Sequence, residues 1–122
     1  MGFRYENLEI SELAKKLINK IYQITCSFPK EEMFGLISQL RRASVSVLLN
    51  IAEGSGRYFK KDFARFIRNS IGSLMEVDAA INIATDQEFL QKERYNNELH
   101  PLIKELFYKL IAFEKSLIGK RD

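Results

Sequence analysis

The groups that could do covalent or metal chemistry are few. His100 is the only histidine and Cys26 the only cysteine. One chain therefore offers no two-histidine metal site, no thiolate cluster and no intrachain disulfide. Carboxylate-bridged metals in helical bundles use Glu-x-x-His pairs on two helices, and none is present. No metal or cofactor is expected. Glu53 and Glu76 are the candidates for an acid–base pair, but nothing in their spacing forces them together. The chain is therefore read as non-enzymatic. His100 reads as a surface or helix-end histidine, and Cys26 as a small apolar filler at a helix end. Gly54-Ser55-Gly56 lacks the third glycine of a dinucleotide loop and the Gly-Lys-Ser/Thr ending of a phosphate loop. It reads as a helix stop that uses glycine's access to the left-handed conformation.

The charge is more informative. Residues 41–68 carry Arg41, Arg42, Arg57, Lys60, Lys61, Arg65 and Arg68 against Glu53 and Asp62, a net +5, within a chain of net +3. Lys61, Arg65 and Arg68 fall on one helical face, and Arg57 and Lys60 enter that helix at its start. Tyr58 and Phe59 interleave, and an exposed Tyr58 could stack on a base. Such a face can neutralise phosphates, and oligomerisation would multiply it around a symmetry axis. The competing reading is a solvated face with ordinary salt bridges, for example to Asp62. Arg41 and Arg42 are secondary candidates, because Glu53 or Glu76 can lock either of them in the bundle. A second pattern is polar: Gln39, Arg42, Ser46, Asn50 and Glu53 share one helical face. It suits either a site lining a groove or a hydrogen-bonded seam that fixes helix register.

Four helical segments must position these residues. The chain has 122 residues, 46% hydrophobic and 29% charged, which excludes general disorder and fits a single domain over 1–122. Apolar spacing predicts helices over about 9–25, 30–53, 60–85 and 91–118. Pro101 should kink the last one or mark its true start. Short joins favour an all-α, antiparallel up-down four-helix bundle. Ala43 to Ala52 is the longest uncharged run, far short of the roughly 18 residues of a membrane span. An acid precedes any apolar run at the N-terminus, unlike a signal peptide. A cytoplasmic protein is expected. The second helix is too apolar for one surface helix: Phe34, Ala43, Val45, Leu49 and Ala52 add to its core stripe, so a homo-oligomer is inferred.

Phe28-Pro29-Lys30-Glu31-Glu32-Met33-Phe34-Gly35-Leu36 and Gln39-Leu40-Arg41-Arg42-Ala43 lead to Asn50-Ile51-Ala52-Glu53-Gly54 and Gly72-Ser73-Leu74-Met75-Glu76. This pattern resembles the four-helix-bundle proteins encoded in 23S rRNA intervening sequences, and beyond them the accessory protein of diversity-generating retroelements. The resemblance implies a barrel-shaped homopentamer, a basic surface proposed to contact nucleic acid, and no enzymatic activity. In the retroelement relatives it also implies contact with a reverse transcriptase. The matching residues are Pro29, Glu32, Gly35, Gln39, Arg41, Arg42, Asn50, Glu53, Gly54, Gly72, Ser73 and Glu76. Pro101 departs from the pattern. Two functions follow as expectations. One is a non-enzymatic, oligomeric nucleic-acid-binding protein that prefers RNA or structured duplexes by charge and shape. The alternative is an oligomeric scaffold for a protein partner such as a polymerase.

Overall fold

The four apolar stripes become four helical arms in a computed structural model, which describes residues 2–119. A 3-10 turn, Arg4–Asn7, leads into α1, Glu9–Thr25. A second 3-10 turn, Lys30–Glu32, precedes α2, Leu36–Ser55. The long α3 spans Lys60–Asp86. The last arm is composite: α4, Lys92–Arg94, passes through a π turn, Tyr95–Leu99, into α5, His100–Ile118. Among the described residues there is no strand, and no helix is long and apolar enough to cross a membrane.

Cross-helix contacts fix the directions. Arg41 Nε donates to Thr25 Oγ1 at 2.9 Å, joining the end of α1 to the start of α2. The buried Ser70 hydroxyl donates to the Val47 carbonyl at 2.9 Å, joining α3 to α2. Arg68 reaches Glu114 at 2.8 Å, near the start of α3 and the end of α5. Lys20 meets Glu98 at 3.1 Å, and Lys109 meets Glu9 at the other end of α1. Each helix thus runs antiparallel to its neighbours, in the cyclic order α1, α2, α3, α5. Inside lie Leu17, Ile21 and Ile24 of α1, Leu40, Val47 and Ile51 of α2, Ile67, Leu74 and Ile81 of α3, and Leu106 and Leu110 of α5, all 0% exposed. Burying each contributes about 1.5–3 kcal/mol. No helix has a side-chain N-cap bond from its cap residue. Packing, more than capping, therefore holds the bundle together.

Several expectations are corrected. α2 begins at Leu36, because Pro29 to Gly35 form a separate turn. The Glu32 carboxylate then accepts from the Leu36 N–H at 3.2 Å, supplying the cap from outside the helix. Met33, although at helical spacing from Leu36 and Ile37, is exposed on that turn. Gly56 does not stop α2 through the left-handed region, since its φ is −87°. The glycine that does so is Gly119, φ 75°, after α5. Gly54 lies inside α2, where a Cβ would sit 2.7 Å from Phe63 Cδ1 and Phe66 Cβ. It is there for close approach of α3. Pro101 falls in the first turn of α5, directly after the π turn, where its missing N–H leaves little unsatisfied. At that turn the Tyr95 hydroxyl donates to Asp78 at 2.7 Å. Burial, then the Asp78 hydrogen bond, raises the Tyr95 pKa above its ordinary value. The Lys20 hydrogen bond lowers that of Glu98.

Candidate nucleic-acid interface

The basic face is built where α2 ends and α3 begins. Phe63 and Phe66 anchor it, packed against Gly54, and Asp62 sits between two arginines. Arg65 donates to Asp62 Oδ1 at 3.1 and 2.8 Å, and Arg57 approaches the same carboxylate at 3.8 Å. Arg57 also bonds Glu53 at 2.8 Å. Both guanidiniums lie over the Phe66 ring, 4.6 and 4.5 Å from its centroid. Arg68 extends the face and is held by Glu114. Lys61 and Arg68 line one wall of a recess of about 450 Å³, opposite Leu117 and Ile118.

The local charge is therefore unequally available. Arg57, Arg65 and Arg68 are each paired with a carboxylate of their own chain. Lys60 and Lys61 are exposed and have no carboxylate within 4.0 Å among the described residues. Exposed ion pairs are worth only about 0–1 kcal/mol, so a phosphate can take over Arg57 and Arg65 at small cost, whereas Glu114, with 14% of its side chain exposed, holds Arg68 more firmly. Two participants escaped the sequence reading. Arg4 joins the face, its guanidinium 5.2 Å from the Phe63 ring, and Glu114 removes charge from it. No local sequence signal points to either, because each contact joins segments far apart in the chain.

Arg41 and Arg42 are corrected as well. Neither is locked by Glu53 or Glu76. Arg41 is half-buried, bonded to Thr25 and lying 4.6 Å from the Tyr22 ring centroid. Arg42 is exposed and lines a groove of about 610 Å³ with Phe34, Gln39 and Ser46. The polar stripe is mostly a seam. Gln39 donates to Glu76 at 3.3 Å, Ser46 and Ser73 share a bond at 2.9 Å, and Asn50 donates to the Ser46 carbonyl at 2.9 Å. Only Arg42 of the stripe has no hydrogen-bond or ion-pair partner among the described residues. Glu53 and Glu76 are not brought together. Glu76 sits beside Gln39, and from Gln39 to Glu53 the helix rises about 21 Å. Cys26 is exposed rather than packed as an apolar filler. His100 stands at the start of α5, its ring nitrogen 3.1 Å from the Tyr95 hydroxyl.

Antiparallel helices with a cation-rich end formed by an aromatic turn define an all-α bundle of the kind that the sequence pattern resembled. Residues 6–112 match the family described as 23S rRNA-intervening sequence protein, and the chain belongs to that family. A comparison with curated proteins found no match.

Proposed function

We propose that the chain is a non-enzymatic RNA-binding protein that works as a homo-oligomer through its basic face. Lys60 and Lys61 make the primary phosphate contacts. Arg57 and Arg65 add contacts by exchanging their carboxylate partners, Arg68 adds one while staying on Glu114, and Arg42 and Arg41 are peripheral. The supporting observation is the pair of exposed lysines, without a carboxylate partner among the described residues, next to Tyr58, which is 97% exposed. Recognition by charge and shape makes binding weakly sequence-specific and steeply salt-dependent. Titrating labelled structured RNA, duplex DNA and single-stranded DNA at physiological salt tests this. Retained binding with a preference for RNA supports the reading. Negligible affinity for all three rejects it in favour of a scaffold for a protein partner.

Assembly rests on a different face. Ala43 proves buried and Val45 and Ala52 half-buried, so α2 alone has less spare apolar surface than its composition suggested. The remainder is spread more widely: Phe34, on the turn before α2, is 98% exposed and Leu49 of α2 60%, with Met75 and Ile83 on α3. Gly72, Met75, Ala79 and Ile83 share one exposed face of α3. A Cβ on Gly72 would meet nothing within 4 Å in the single chain, although glycine inside a helix costs about 0.5–1 kcal/mol against alanine. A second copy packed closely there explains the glycine, and five copies is the number that the family resemblance implies. Gly72→Leu is therefore expected to keep or raise the thermal stability of the subunit while dissociating the oligomer in sedimentation velocity. An unchanged assembly would remove this face as the contact.

A further inference from the structure

The turn between α2 and α3 exposes two adjacent aromatic rings, Tyr58 at 97% and Phe59 at 70%. Nothing in the turn requires them. Phe59 is the extended N-cap residue of α3 and makes no side-chain cap bond. The single chain leaves both rings largely in water, where large apolar surfaces are unfavourable. They stand between Arg57 and the lysines Lys60 and Lys61, so whatever covers them is drawn in by negative charge. Their geometry narrows the choice. The ring centroids are 5.7 Å apart and the planes meet at 86°. Bases in a duplex lie nearly parallel and have no free faces along the stack. Two bases on these rings must instead be unpaired and splayed at a steep angle, as in a loop or a sharply turning single strand.

Resting on the reading that the basic face binds RNA, we infer that Tyr58 and Phe59 form a stacking site for unpaired nucleotides of single-stranded RNA. Lys60 and Lys61 hold the phosphates on either side. The site selects single-stranded over double-stranded RNA without reading sequence, because every base has a π-face.

The test uses the full chain and two labelled probes, a short unstructured RNA and an RNA duplex of equal length, titrated by fluorescence anisotropy. The double variant Tyr58→Ala with Phe59→Ala is expected to weaken unstructured RNA by about 30-fold or more. Its duplex affinity and salt dependence should stay as in the parent. Tyr58→Phe should retain most of the affinity, since the ring rather than the hydroxyl does the stacking. No loss for the unstructured probe, or equal loss for both probes, overturns the stacking site while leaving the basic face standing. A parent protein that binds neither probe at low salt overturns the face and the stacking site together. A changed sedimentation coefficient in the double variant would show the rings to be a subunit contact, which also overturns the inference.

Discussion

Replacing Lys60 and Lys61 together by glutamate is expected to lower RNA affinity by at least about 100-fold at physiological salt. Both lysines are exposed, and neither has an intrachain carboxylate among the described residues. Their charge is thus committed to no carboxylate among the described residues. Each lost phosphate contact should reduce the slope of log affinity against log salt by about 0.7 to 0.9, so the slope should drop by nearly two. The subunit should not be destabilised. Residues 60 and 61 open α3, and acids in a first turn interact favourably with the helix dipole. A melting temperature that holds while affinity collapses separates lost binding from lost folding. Reversing Lys61 with Arg65, two cations of one helical face, should also abolish binding but is a less direct test. A glutamate at 65 would face Asp62 and uncover Phe66, so folding and binding would change together. Affinity unchanged in the Lys60/Lys61 variant would sink the assignment of the face.

The second large effect is on the scaffold. Gly54→Ala is expected to destabilise the chain by about 1–3 kcal/mol, the range for overpacking a close contact. The added Cβ meets Phe63 Cδ1 and Phe66 Cβ at 2.7 Å. Phe63 is itself wedged edge-on against Phe113 of α5, at 5.3 Å between centroids, so it has little room to retreat. α2 and α3 must separate, and Phe66, the ring beneath Arg57 and Arg65, moves with them. RNA binding should therefore weaken along with stability. Gly56→Ala is the control: its Cβ would come no nearer than 3.5 Å to the Glu53 carbonyl, and its backbone is ordinary for any residue. Equal melting temperatures for the two variants would contradict the close-approach role of Gly54.

These two glycines show where sequence reasoning stops. Both lie in one Gly-Ser-Gly stretch, and a helix stop accounts for both equally well. Only the tertiary contact with Phe63 and Phe66 separates them. Periodicity served well where a segment buries one continuous stripe: α1 was expected over 9–25 and spans Glu9–Thr25. It failed at the start of α2, because Met33 keeps helical spacing with Leu36 and Ile37 yet lies on a separate turn outside the core. The cations of the face were legible because they cluster along the chain. The pairing within reach of the sequence is local: Asp62 is three residues from Arg65, and Glu53 is four from Arg57 rather than locked to Arg41 or Arg42. Glu114 and Arg4 arrive from the chain's two ends, and Arg41 is claimed by Thr25 across the α1–α2 joint. The polar stripe was visible as a pattern, and its partners Ser73 and Glu76 turned most of it into a seam.

The basic face is proposed to meet a phosphate backbone. The most direct measurement is the affinity of the parent protein for one labelled structured RNA across a series of salt concentrations. Binding is expected at low salt and should persist at physiological salt, with log affinity falling linearly in log salt. The slope should correspond to at least the two lysine contacts of each engaged subunit, about −1.5 or steeper. Absence of binding at low salt, or an affinity indifferent to salt, would contradict that proposal.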